Sequence, residues 1–247
     1  MRGRRLFLIA IAAVLLASAA AVVGSGLWTP WSQHYVQGVD VSQHQGPIDW
    51  RALAGSGVRF VYIKATQGSN HVDPRFRANW DGAARAGLYR GAYHYFTLCK
   101  PGAVQAALFI RTVPRVSGAL PPVVDLEHKG PCRRSPMLAN TDEQIRDYLN
   151  VVEKQYGVRP ILYVTREFHD AHLRKLSGER FWVRSLFTEP GFRAREWIFW
   201  QHHNRAFRPG VSTPIDLDSF RGDEAALAAL ARSSSVVSLR PSRLEQP

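Results

Sequence analysis

From Gly38 onward the chain alternates between two hydrophobic periods, and that alternation limits its fold more than any other feature. Short apolar runs lie near 38–41 (GVDV), 59–65 (RFVYIKA), 90–96 (RGAYHYF), 121–127 (PPVVDLE), 159–165 (RPILYVT), 181–186 (FWVRSL), 196–201 (EWIFWQ) and 214–220 (PIDLDSF). Between or after them, stretches near 48–55, 74–86, 101–112, 141–156, 166–176 and 222–232 carry a helical pattern. Strands separated by helices of this length predict parallel βαβ units rather than a sandwich, and eight strands suffice to close a barrel. A helix follows each of the first five strands, whereas the last three come almost in succession. The expected fold is therefore α/β: an irregular, TIM-barrel-like single domain of five β/α repeats followed by three strands. Neither an internal sequence repeat nor a second domain is visible.

Helix punctuation agrees locally. Asp73 before Pro74 offers an N-cap and a first helical residue, and Gly87 follows the last periodic position. Thr141 and Gln144 have capping-box spacing ahead of Ile145, Leu149 and Val152, and Gly157 ends that segment.

Residues 1–24 stand apart. MRGRR precedes an apolar run from Leu6 to Val23 that only Ser18 interrupts. This has the charged and apolar regions of an export signal, with Ala17-Ser18-Ala19 ahead of a cleavage site. It also approaches the roughly 20 residues of a membrane-spanning helix. Cleaved signal and retained N-terminal anchor both stay open. Either delivers the rest outside, as a periplasmic or extracellular protein or one held at the outer face of the cytoplasmic membrane. Residues 25–37 read as a linker, 38–232 as the folded domain and 233–247 as a disordered tail.

Only Cys99 and Cys132 occur; an oxidising compartment favours bridging them, with two buried thiols as the other reading. The formal net charge is +12. No zinc-ligand spacing or RNA-binding signature accompanies it, so nucleic acid is not the expected partner. For an exported chain, anionic wall polymers or headgroups are the fitting counter-charge, and simple solubility is the alternative.

The chemistry lies in PVVDLEH. Asp125 and Glu127 are two apart on a strand, so both side chains leave the same face. In a β/α barrel the working groups collect at the C-terminal ends of the strands. Those ends bring Asp40, His94 with Tyr95, Asp125 with Glu127, Tyr163, Gln201, and Asp216 with Asp218. Crowded carboxylates repel, and one relieves the strain by keeping a proton. A protonated carboxyl beside ionised partners is the equipment for cleaving a glycosidic bond. Glu127, with the longer reach, is the expected acid; Asp125 suits an orienting role.

Other chemistries have less support. An oxygen-ligand metal site could use the same carboxylates. The histidines show no H-E-x-x-H pairing, so no metal is expected. Trp182, Trp197 and Trp200 could stack on sugars or fill the core. No G-x-S-x-G elbow, P-loop or dinucleotide fingerprint occurs.

GVDVSQHQGPIDW, FVYIKATQGSNHVDPRFRANWDGAARAGLYRGAYHYF, PVVDLEH, PILYVT, WIFWQH and PIDLDSF resemble, in order and spacing, the glycoside hydrolase family 25 lysozymes across roughly residues 38–230. The resemblance implies a barrel of five β/α repeats plus three strands. It also implies hydrolysis of the β-1,4 bond between N-acetylmuramic acid and N-acetylglucosamine in peptidoglycan, with no cofactor. The implied catalytic residues are Asp40, Asp125, Glu127 and Asp216, with Glu127 as general acid. A mechanism assisted by the substrate's acetamido group, oriented by Asp125, also comes with it. Lys64, Tyr95, Tyr163, Trp182 and Gln201 are the expected substrate-binding residues, and peptidoglycan strands the expected partner of a monomer.

Departures accompany the match. Gln67 stands where the family often has glutamate, Asp218 replaces an asparagine, and Arg184 and Leu186 occupy the small and aromatic positions of a W-V-A-x-Y strand. In the implied barrel Cys99 and Cys132 lie on adjacent loops of one rim, and a disulfide between them is expected. A chitinase-like hydrolase and a wall-binding protein without turnover are the alternative functions.

Overall fold

The computed structural model describes residues 2–24, 35–128, 132, 138–174, 176–186 and 188–233. Most of the expected linker and all but Ser233 of the expected tail lie outside them. The N-terminal run forms helix α1 (Arg2–Gly24). Among the described residues no helix is long and apolar enough to cross a membrane.

The short apolar runs become β1 (Val36–Val41), β2 (Phe60–Gln67), β4 (Tyr89–Tyr95), β5 (Val123–Leu126), β6 (Ile161–Val164), β7 (Phe181–Arg184), β8 (Trp197–Ala206) and β9 (Ile215–Phe220). A two-residue strand, β3 (His71–Val72), folds back on β2. The sheet order β1-β9-β8-β7-β6-β5-β4-β2 closes through β1–β2 pairing. Helices α2 (Trp50–Gly55), α3 (Phe76–Arg85), α4 (Gly102–Thr112), α5 (Thr141–Tyr156) and α6 (Arg166–Phe168, continuing as a π-helical turn) follow the first five barrel strands. Strands β7, β8 and β9 then complete the barrel, and α7 (Glu224–Ser233) ends the described chain.

Strand alternation sorts side chains into two apolar layers. On β2, Val61, Ile63 and Ala65 join the layer beneath the helices, whereas Phe60 and Tyr62 join a second cluster inside the barrel with Val123, Ile161, Trp182 and Phe199. Leu227 of α7 belongs to that inner cluster. Two inner positions are glycine for a steric reason. A Cβ on Gly38 would lie 2.2 Å from the Phe60 ring, and one on Gly91 2.2 Å from the Tyr62 ring.

Three local expectations are corrected. Strands β1, β2 and β4–β8 are parallel, but β9 pairs antiparallel with both β8 and β1. The rim that receives the C-terminal ends of the other strands therefore receives the start of β9. Thr141 does not cap α5: Asn140, in the left-handed region (φ 62°), occupies the N-cap without a side-chain bond, and the Gln144 side chain instead accepts from the Gly102 N–H at 2.9 Å. Asp73 precedes α3 by a turn, accepting from the Arg75 and Gln43 N–H groups. Gly157 closes α5 at φ 72° as expected.

Candidate active site

The inward-facing row changes from aromatic to polar one step before the rim. Two residues beyond Gly38, Tyr62, Val123, Ile161, Trp182 and Phe199, the same strand faces present Asp40, Lys64, Asp125, Tyr163, Arg184 and Gln201. Tyr95 and Glu127 continue the rows of β4 and β5, and Asp216 enters from the start of β9, in register with Asp40. These side chains line one cavity of about 370 Å³. All nine residues expected from the sequence to act in catalysis or substrate binding lie on its wall.

Hydrogen bonds fix much of this wall. The Tyr163 hydroxyl donates to Gln201 Oε1 at 2.9 Å, and Gln201 Nε2 donates to Asp40 Oδ2 at 2.7 Å. Because the amide oxygen is taken by the phenol, its nitrogen must face Asp40. Lys64 Nζ donates to Gln67 Oε1 at 2.7 Å and lies 4.9 Å from the centre of the Tyr95 ring. Gln67, the neutral replacement noted above, thus holds the lysine without cancelling its charge.

Trp182 forms the floor. Its indole is 2% exposed, lies 5.0 Å from both the Tyr62 and Tyr163 rings, and donates to Asp218 Oδ1 at 2.9 Å. So little exposed surface leaves it no broad face for a sugar. Trp197 and Trp200 pack in the layer beneath the helices.

Burial governs the titration of the aspartates. It lifts Asp40 to about 6; the Gln201 and Asp218 hydrogen bonds and Arg184 pull down, while the Glu127 charge pushes up. Burial, then Glu127 and Asp40, carry Asp125 well above the usual carboxylate range, against Lys64 and Arg184. Asp216 rises to about 9 through burial and then the Asp40 charge. Fully buried Asp218 rises well above its ordinary value for the same reasons, helped by a hydrogen bond to Asp40 that favours its protonated form. Burial and crowding therefore raise all four aspartates, and Asp40 is the member of this set that ionises nearest neutrality.

His94 does not reach the mouth. It faces the helix layer, 0% exposed and stacked on Tyr148, with Nδ1 2.7 Å from Thr66 Oγ1 and Nε2 3.1 Å from Gln105 Oε1. The amide oxygen of Gln105 only accepts, so Nε2 carries the proton and Thr66 donates to Nδ1. Burial drops its pKa to about 3, and it stays neutral. Conversely, the expected site set omitted Ser42, His44, Gln45, Tyr93, Arg184 and Asn204, which share the cavity wall. Tyr93 was findable, being two residues before Tyr95; nothing local marked the β1 loop.

Cys99 and Cys132 form a disulfide, with Cα atoms 5.6 Å apart.

The sequence profile described as glycosyl hydrolases family 25 matches residues 39–211. The chain belongs to glycosyl hydrolase family 25. YegX of Escherichia coli K12 is 35% identical over 198 residues, covering 77% of this chain and 71% of that protein. Lysozyme M1 of Streptomyces globisporus is 35% identical over 217 residues, covering 81% and 72%. Among solved structures, a family 25 glycosyl hydrolase from Bacillus anthracis superposes with a TM-score of 0.74 at 36% identity, covering 80% of this chain and 94% of that one. As a family 25 member the protein is a glycoside hydrolase, and the four carboxylates named from its motifs meet in one cavity. Its Arg184 adds a cation to that cavity, on β7 across the barrel from Lys64 on β2.

Proposed function

We propose that this family 25 protein is a muramidase, a peptidoglycan hydrolase that cleaves the β-1,4 bond between N-acetylmuramic acid and N-acetylglucosamine, with Glu127 as general acid. The observation that carries the residue roles is the convergence of Asp40, Asp125, Glu127 and Asp216 from three strands on one cavity. Similarity to proteins named lysozyme and N,O-diacetylmuramidase supports the substrate, and favours it over chitin. Half-buried Glu127 stands outermost of the β5 pair and protonates the leaving oxygen. Asp40, held by Gln201 and ionised near neutrality, faces the positive charge that develops on the sugar ring. Asp125, deeper and proton-retaining, orients the acetamido group, and Asp216, which also keeps its proton near neutrality, lies beside Asp40 as a hydrogen-bonding wall of the site. Tyr95, Tyr163 and Lys64 shape the sugar site over the Trp182 floor.

Residues 1–24 deliver residues 38–232 to the wall as an export signal or a retained anchor, and the enzyme acts outside the membrane as a monomer.

Clearing of a purified peptidoglycan suspension, with release of reducing ends, tests this reading. Glu127→Gln is expected to lower turnover by about 10²–10⁴, the usual contribution of a general acid. Full activity in that variant would remove Glu127 from the role. Cleavage of chitin in preference to wall would replace the substrate, and binding without reducing ends would mean a wall-binding protein.

A further inference from the structure

The acidic cavity has a basic neighbour. Past His44 and Lys64, which border both, a second cavity of about 410 Å³ opens between the β2–β3 hairpin and the loop after β4. Four carboxylates line the first cavity; among the described residues none lines the second, whose charged groups are Lys64 and Lys100. Gln67, Asn70 and His71 add polar wall. Lys64 is already engaged by Gln67, whereas no ion pair of the described residues includes Lys100.

The loop that presents Lys100 is braced. Gln105 Nε2 donates to the carbonyls of Lys100 (2.8 Å) and Thr97 (2.9 Å), the disulfide holds Cys99, and Gly68 turns the opposing hairpin at φ 56°, where a Cβ would lie 3.2 Å from Thr97 Oγ1. A cation on a fixed backbone beside a polar cavity is complementary to a carboxylate, and little ordering entropy opposes the contact.

Resting on the muramidase reading, we propose that this second cavity seats the stem peptide of peptidoglycan, with Lys100 as the counter-charge to a peptide carboxylate. A muramic acid ring held in the first cavity carries its peptide on a lactyl branch directed away from the glycan axis, and the second cavity adjoins the first through a shared wall.

The experiment compares solubilised glycan strands bearing stem peptides with the same strands stripped of peptide by an amidase, which leaves the lactyl carboxylate in place. On peptide-bearing strands Lys100→Ala is expected to raise KM about threefold, the size of one exposed ion pair, and Lys100→Glu about tenfold, with kcat retained. Both variants should match wild type on stripped strands, and added salt should raise the wild-type KM more on peptide-bearing strands than on stripped ones. Unchanged KM on peptide-bearing strands, or an equal rise on both substrates, would overturn the assignment. If the wild type cleaves neither substrate, the muramidase reading fails and this inference falls with it.

Discussion

Asp40 shows how single contacts decide which acid does what. Burial pushes it up, and hydrogen bonds from the Gln201 amide and from Asp218 pull it back to about 6. A nucleophile-like or charge-stabilising carboxylate must be ionised, so kcat/KM is expected to rise as pH climbs through about 6. Gln201→Met removes the 2.7 Å donor while keeping the side chain's bulk. With that donor gone, the acid limb of the pH–rate profile should move to higher pH, and activity at pH 6 should fall more than activity at pH 8. A uniform loss at all pH values would mean that Gln201 shapes the site without tuning Asp40. Asp218 belongs to the same circuit. Its first oxygen accepts from Trp182 and no other donor reaches the buried second, Oδ2, which suits a carboxyl that keeps its own proton and lends it toward Asp40.

At the scale of elements, the rim is braced where it carries the most chemistry. The disulfide joins the loop after β4 to the segment after β5, the strand that supplies Asp125 and Glu127, at a sequence separation of 33. Loop-closure entropy for that span predicts a contribution of about 3–4 kcal/mol to stability. Replacing both cysteines by serine should lower Tm by roughly 6–16 °C for a chain of this size, and dithiothreitol should do the same to wild type but not to the variant; equal melting of reduced and oxidised protein would show the bridge to be neutral. Much of this architecture was legible beforehand, because strand parity is a sequence property. Once GVDV, FVYIK and PVVDLE are read with period two, Asp40, Lys64, Asp125 and Glu127 must share the interior with Tyr62 and Val123. Strand direction is not written in that pattern. PIDLDSF reads the same whether it runs up or down, and only the short β8–β9 connection and closure onto β1 make it antiparallel. His94 misled because an alternating row has two faces, and RGAYHYF puts aromatic or histidine residues on both. The α5 cap misled because Gln144 found a backbone donor on α4, a tertiary partner invisible to local spacing.

The whole molecule pairs a formal net charge of +12 with a buried acidic core. That core ties stability to pH. Asp216 titrates at about 9 when folded but near 3.8 when unfolded, and Asp125 and Asp218 are displaced in the same direction. Between the two values the folded state binds more protons than the unfolded one, so stability falls as pH rises. Below about 6.5 two buried histidines oppose this. His94 and His202 are depressed to about 3, and unfolding lets them take up protons, so their effect makes stability rise with pH up to 6.5. Above about 7.5 the histidines are neutral in both states, and the raised carboxyls set the downward slope, opposed only by partly buried Lys64, whose lowered pKa acts in the other direction. Tm is therefore expected to decline steadily from pH 7 to 9. Asp218→Asn isolates one contributor, since the amide can still accept from Trp182 and donate toward Asp40 without a proton to lose. The variant should melt higher than wild type at pH 8, and its decline should be shallower by up to ~1.4 kcal/mol per pH unit, the slope of one proton. Parallel curves for the two proteins would show that Asp218 is ionised in the fold, and the proton it lends Asp40 would have to come from Asp125 or Asp216 instead.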